Sequence, residues 1–199
     1  MINKPQTFIF YGIVGSGKGT QVELLQKYLK ENNISDDVLF TSTGNEFRKL
    51  IESSSYTASK VKTIIEKGFL QPNFLTISLF TNILIADLKE NTTVIADGYP
   101  RTIEQSEAFD AMMKFYDRGE VKIVYIELDK EEATKRMKLR ARADDTDEGI
   151  ANRFDEYVNN VIPSMNYFKD KENYTVYSIN GAQSIEDVHK EIITKLNLI

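Results

Sequence analysis

At 199 residues, with 41% hydrophobic and 28% charged side chains, the chain has the size and make-up of one soluble globular domain. A net charge of −5 argues against a general nucleic-acid or membrane-surface role, and no apolar run approaches the roughly 20 residues that span a bilayer. Without cysteine there can be neither disulfides nor a thiolate metal site, and a cytoplasmic location without a signal peptide is expected.

In chain order, Thr7–Gly12 reads as a buried strand, followed by a helix whose Val22, Leu25 and Leu29 share one stripe. Val38–Ser42 is the second strand. From Gly44 to about Leu70 two helical segments, broken at Ser53-Ser54-Ser55, predict a helical flap in place of a simple crossover. Thr93–Asp97 is the third strand, and the charge run Lys114–Lys122 reads as solvated surface. Val121–Leu128 is the fourth strand. A helix then runs into a tight charged corner, Arg140-Ala141-Arg142-Ala143-Asp144-Asp145. Tyr174–Ile179 is the fifth strand. The last helix carries Ile185, Val188, Ile192 and Leu196 on one stripe, with Ser184 and Asp187 as its capping box. Phe8, Phe10, Phe80 and Tyr167 read as core, and His189 as a structural residue. Strands rich in β-branched and aromatic residues, alternating with helices, predict an α/β fold with a parallel sheet covered on both faces.

Ligands of such sheets bind beyond the carboxyl ends of the strands. There the first strand delivers Gly12-Ile13-Val14-Gly15-Ser16-Gly17-Lys18-Gly19-Thr20, which fits G-x-x-x-x-G-K between a strand and an amphipathic helix. Glycines let backbone N–H groups converge on phosphate oxygens, and the helix start adds its dipole. Lys18 is expected to reach the β- and γ-phosphates. Asp97 ends the third strand at the same rim, where a carboxylate can hold Mg²⁺ through water, with Thr20 or its neighbour facing the metal.

The chain here resembles the adenylate kinase family over nearly its whole length. Gly15-Ser16-Gly17-Lys18-Gly19-Thr20 is similar to that family's phosphate loop, and Ser42-Thr43-Gly44-Asn45-Glu46-Phe47-Arg48 to its monophosphate-binding segment. Asp97-Gly98-Tyr99-Pro100-Arg101-Thr102 with Gln105 is similar to its DGFPRT-x-x-Q signature, the most specific match. Arg136, Arg140, Arg142, Asp144, Asp145 and Arg153 follow its arginine pattern, and Ile179-Asn180-Gly181 echoes its last turn. The resemblance implies a P-loop three-layer fold, with a five-stranded parallel sheet in the order 2-3-1-4-5. It implies one domain over 1–199, with its core at 1–41 and 72–199, an AMP-binding flap at about 42–71 and a vestigial lid corner at 140–145. The implied reaction is reversible, Mg²⁺-dependent phosphoryl transfer, ATP + AMP = 2 ADP.

The resemblance also implies roles. Thr43 and Gln105 would recognise the adenine of AMP, with Phe69, Leu70 and Gln71 completing its pocket. Arg48 and Arg101 would hold the AMP phosphate, with Gly98 passing close beneath. Arg136 would lie against ATP and Gln183 would offer its base a backbone contact. Arg140, Arg142 and Arg153 would surround the phosphates in flight, while Asp144 and Asp145 bond nucleotide hydroxyls or orient Arg142 and Arg153. The Tyr99–Pro100 bond is expected to be cis.

The residue types suit that chemistry. A phosphate acceptor is already ionised, so no general base is required; the task is to position two polyanions and stabilise charge in flight. Arginine's planar fork binds phosphate bidentately and stays charged. Arg136 and Arg140 also sit at i+4 and i+8 from Glu132, so a solvated ion-pair ladder is the competing account of that face. Departures from the family are Asn45 for an Asp, Val14 for a Pro, Tyr99 for a Phe and, above all, the single residue between Arg140 and Arg142, which leaves no room for a lid. Looser choice of triphosphate follows as an expectation. A zinc-bound lid is excluded for want of cysteine, so no structural zinc is expected. The alternatives are a UMP/CMP or other monophosphate kinase and, further off, a P-loop ATPase or switch. A monomer is expected, with a homo-oligomer as the alternative.

Overall fold

The computed structural model describes residues 5–140, 142 and 145–198. Its sheet has five parallel strands, β1 (Thr7–Gly12), β2 (Val38–Ser42), β3 (Thr93–Asp97), β4 (Val121–Glu127) and β5 (Tyr174–Asn180), in the expected order β2-β3-β1-β4-β5. β4 stops one residue short of Leu128, and β5 runs one past Ile179. Register brings Ser42 beside Asp97 and Gly12 beside Ile126, so the carboxyl ends form one rim.

Alternate side chains of each strand point to opposite faces and build two separate cores. Phe8, Phe10, Ile95, Val124, Ile126 and Ile179 pack against α1 (Lys18–Glu31) and α9 (Ile185–Lys195). Ile9, Tyr11, Ala96 and Ile123 pack against α4 (Asn73–Asp87), α5 (Ile103–Phe115) and α8 (Ile162–Asn166). The stretch between β2 and α4 holds α2 (Thr43–Ile51) and α3 (Tyr56–Glu66), separated at the serine run, where the Ser55 hydroxyl caps α3 by accepting the Ala58 N–H. After β4 come α6 (Lys130–Arg140), α7 (Asp147–Glu156) and a π-helical turn (Tyr157–Val161). Ala133, Met137, Ile150 and Phe154 of α6 and α7 pack with Ile13, and so seat the phosphate loop on this helix pair. No helix among the described residues is long and apolar enough to cross a membrane.

The structure corrects two readings. Ile185 is 54% exposed, and Ile193 takes its place with Val188, Ile192 and Leu196 in the core, because α9 is rotated to face α1. The run Lys114–Lys122 is not uniformly solvated, since Arg118 is only 6% exposed. Its guanidinium donates to Thr7 Oγ1 (3.1 Å), Gln6 O (2.9 Å) and Thr92 O (2.7 Å), tying the amino ends of β1 and β3 together. Arg118→Ala would strand buried acceptors and is expected to destabilise by about 2–4 kcal/mol. Thermal unfolding followed by circular dichroism should show Tm falling roughly 5–10 °C, and a fall under about 1 °C would deny Arg118 this role.

Candidate active site

The loop between β1 and α1 stands at the centre of the rim. Gly15 (φ 86°) adopts a backbone that favours glycine, and a Cβ there would meet the Ala133 carbonyl at 2.7 Å, so α6 is drawn tight against the loop. Lys18 begins α1 and turns back over the loop, donating to Gly12 O (2.8 Å) and Ile13 O (3.0 Å). Burial pushes its ammonium down to about 8; Asp97 opposes this, while Arg101 and Arg140 add to it.

A cavity of about 610 Å³ opens over the rim. Gly15, Gly17, Lys18, Gly19 and Thr20 line one side, and Thr43, Arg48, Phe69, Leu70, Gln71, Gly98, Arg101 and Gln105 the other, with Arg136, Arg140, Arg142 and Arg153 between. Of the sequence-predicted residues, Ser16 and Gln183 instead line a second cavity of about 370 Å³ behind the loop. It is formed also by Gly17, Thr20, Gln21, Arg136, Gly181, Ser184, Ile185 and Val188. Both volumes lie in the range of small-molecule sites. Gly17, Thr20 and Arg136 border both cavities.

The cations of the larger cavity differ in how they are held. Arg101 follows the cis Tyr99–Pro100 bond at the end of β3. Burial lowers its pKa; Asp97 opposes that, and Arg153 and Arg48 reinforce it. No hydrogen bond from its guanidinium to another described residue accompanies that burial. Gly98 (φ 77°) lies directly beneath, where a Cβ would come within 2.6 Å of Arg101 Nη2. Arg48 donates to Asn45 Oδ1 (2.7 Å), a neutral partner that leaves its charge whole. Asn45, the departure from the family's Asp, therefore holds an arginine by hydrogen bonding alone.

Arg140 and Arg153 converge on Asp145, whose side chain is 1% exposed, at 2.8 and 2.7 Å. Burial alone would raise the Asp145 carboxyl, but the bonds and charge of Arg140, with Arg153 and the Arg142 N–H, hold it below the usual carboxylate range. Asp145 thus orients Arg140 and Arg153, while Asp144, with Ala141 and Ala143, lies outside the described residues. Of the competing ladder on α6, only the first rung forms among the described residues. Glu132 accepts from Arg136 Nε (2.9 Å), Arg136 Nη1 donates to Gly181 O (3.0 Å), and Arg140 turns to Asp145. Arg136 is thereby fixed between the two cavities.

Thr43 and Gln105 have protein partners of their own. The Thr43 hydroxyl donates to Gly98 O (2.7 Å), and Gln105 Oε1 accepts the Arg101 N–H (2.9 Å) while its Nε2 donates to Asn73 Oδ1 (2.9 Å). Sequence reasoning missed Glu156, Tyr157 and Val161, which also line the cavity. Glu156 accepts from the Leu70 N–H (3.4 Å) and from Asn160, and braces the segment after α3. Its position three residues after Arg153 on one helical face was the available signal. Among the described residues no group of three or more His, Cys, Asp or Glu could hold a metal by itself. Asp97 with the Thr20 hydroxyl is a hard-oxygen set that suits Mg²⁺, which keeps several waters and takes one or two carboxylates beside substrate phosphates.

The family model described as adenylate kinase matches residues 10–173. The chain is similar to an adenylate kinase of Prochlorococcus marinus, with 34% identity over 188 residues covering 94% of this chain and 97% of the relative. It is similar to one of Dehalococcoides mccartyi, at 31% over 218 residues covering 94% and 96%. An adenylate kinase of Flavobacterium psychrophilum is 30% identical over 195 residues, covering 95% and 97%. The 218-residue alignment exceeds the length of this chain, so the D. mccartyi protein carries an insertion that this chain lacks.

Proposed function

The chain belongs to the adenylate kinase family, and we propose that its two cavities hold MgATP and AMP end to end for direct, in-line transfer of the γ-phosphoryl group. The observation that carries this is the Arg101 guanidinium, only partly exposed, without a hydrogen-bonded counter-ion among the described residues and facing the same cavity as Lys18. A partly desolvated cation left in that condition favours an anion, and here it lies across the rim from a phosphate loop.

ATP lies along the loop, its triphosphate on the backbone N–H groups of Gly15 to Thr20 and its base in the second cavity between Arg136 and the Gln183 turn. AMP lies beneath α2 and α3, its phosphate gripped by Arg48 and Arg101 with Gly98 leaving room, and its base against Thr43, Phe69, Leu70, Gln71 and Gln105. Mg²⁺ entering with ATP would neutralise phosphate charge, and Asp97, through water, with Thr20 would hold it. Lys18 leaves the loop carbonyls for the phosphates. Arg140, Arg142 and Arg153, the first and last aligned by Asp145, stabilise the charge of the group in flight. The acceptor oxygen of AMP is ionised already, so proton abstraction has no part in the step.

Residues 42–71 act as the AMP flap of a single domain, and 140–145 as what remains of a lid. Only six residues part α6 from α7, too few for a folded lobe, and the inserted D. mccartyi relative is consistent with a lid lost here. With less of the triphosphate enclosed, ATP is expected to be preferred over GTP and CTP by less than in lidded relatives.

A coupled assay offering AMP, UMP, CMP and GMP in turn with MgATP tests the acceptor, and a bisubstrate dinucleotide tests the layout. AMP should be the best acceptor, and the dinucleotide should bind one per chain and displace both substrates. UMP or CMP working as well as AMP would move the enzyme to another monophosphate specificity. ATP and AMP competing for one site would end the two-nucleotide reading.

A further inference from the structure

The turn that ends β5, residues 180–183, closes one side of the second cavity, to which Gly181 and Gln183 contribute. Its backbone is tied at Gly181. The Gly181 N–H donates to Glu127 O (2.8 Å), and Gly181 O accepts from Arg136 Nη1 (3.0 Å). A Cβ at Gly181 would meet the Glu127 carbonyl at 2.7 Å, so the turn lies too close to β4 for a side chain there. A further tie comes from Glu191 of α9. Side chains of a helix lean toward its amino end, so Glu191, two helical turns on from the Ser184 cap, reaches back to the turn. Its Oε2 accepts from Gln183 Nε2 (2.5 Å) and from the Asn180 N–H (3.4 Å). Lys195, one helical turn further along, pairs with Oε1 (2.7 Å).

We propose that Glu191 is a positioning residue for the phosphoryl donor: it holds the 180–183 turn in the form that receives the base, an inference that rests on the second cavity being the seat of the ATP base. An exposed ion pair on a helix contributes little to a fold. Glu191 differs from such a pair, because its side chain is only 23% exposed and one of its oxygens serves the turn. Burial alone would raise its carboxyl, but the bonds from Lys195 and Gln183 hold it below the usual carboxylate range. The Gln183 amide spends both of its N–H groups, on Glu191 Oε2 and on Asn180 O (3.1 Å). The side chain is therefore fixed against the turn. Without Glu191, the Gln183 amide and the Asn180 N–H lose their shared acceptor, and the turn keeps its ties at Gly181 alone with the Asn180–Gln183 bond.

The test compares Glu191→Ala and Glu191→Gln with the native enzyme in kcat, in KM for ATP and for AMP, and in Tm. Photolabelling of the native enzyme with 8-azido-ATP locates the base independently. Glu191→Ala should raise KM for ATP about 5–20-fold, because binding must then order the turn, with kcat at saturating ATP and KM for AMP within about twofold of native. Glu191→Gln keeps an oxygen for Gln183 and should lose only about 2–4-fold. Inorganic tripolyphosphate, which carries phosphates and no base, should compete with ATP equally well in all three proteins. The label should fall on the turn or the start of α9. With the label there, an unchanged KM for ATP in both variants would overturn the inference. So would a matching rise in KM for AMP or a matching loss of tripolyphosphate affinity, the pattern of a merely structural residue. A label outside the second cavity would overturn the placement of the ATP base itself, and the inference with it. The two replacements are read separately, so a folding defect in one, seen as a fall in Tm, leaves the other to decide.

Discussion

Replacing Arg101 by Ala is expected to lower kcat about 10³–10⁵-fold, the scale of removing an arginine finger. KM for ATP should move far less, because the triphosphate is proposed to lie on the loop around Lys18, away from Arg101. The reason lies in the resting geometry. The guanidinium is only partly exposed, it feels the charges of Asp97, Arg153, Arg48 and Glu156, and it is committed to no hydrogen bond with a described residue. Its interactions with phosphate are thus formed at no cost in broken protein contacts, and they strengthen as charge moves onto the transferring group. Arg101→Lys should recover only a small part of the loss, since an ammonium cannot make the paired, planar contact. Neither change should lower Tm by more than about 2 °C, because Arg101 makes no ion pair with a described residue. Single-turnover kinetics beside a melting curve separate these effects. A kcat within tenfold of the native enzyme would remove Arg101 from the chemistry.

Lys18→Met should act in two directions at once. It is expected to reduce kcat by about 10²–10³ or more, since the cation that begins α1 beside the phosphate loop is gone. It should also make the empty protein more stable. Burial depresses the Lys18 ammonium from 10.5 to about 8, so between those values the folded protein binds fewer protons than the unfolded chain. Native stability therefore rises with pH across that window, and the cost of burying the charge is fully present below about pH 8. Methionine removes that cost, while Gly12 O and Ile13 O lose their donor, which limits the gain to about 1–2 kcal/mol. Tm should rise by about 2–6 °C below pH 8, the gain shrinking toward pH 10.5. MgATP affinity of the native protein should weaken above about pH 8 and that of the variant should not. A variant less stable than the native protein at pH 7 would contradict this account of the loop.

How much of the site could be read beforehand varies with the range of the interaction. The phosphate loop was legible because its glycines encode local backbone, and the strands because both of their faces are apolar. The arginines were legible as a set, and all six meet in one cavity. Of their partners, Asp145 for Arg153 was legible and the others were not. Nothing in local spacing says that Arg140 prefers Asp145 to the Glu132 face, or that Arg118 leaves a charged run to pin β1 and β3. Nor does it say that Gln105 is already engaged. Glu156 braces a segment 86 residues away, beyond any periodicity.

By itself the amino-acid sequence determined the elements, the parallel α/β architecture, the phosphate loop and the family, because these follow from side-chain periodicity, glycine backbone freedom and contiguous motifs. Only the tertiary structure decided which cations are spoken for and which stand open. A hydrogen bond belongs to whichever group the packed chain brings within about 3 Å, and burial determines whether the group left over matters. Between Arg140, locked on Asp145, and Arg101, without a hydrogen-bond partner for its guanidinium among the described residues, the residue type is the same and the surroundings make the difference.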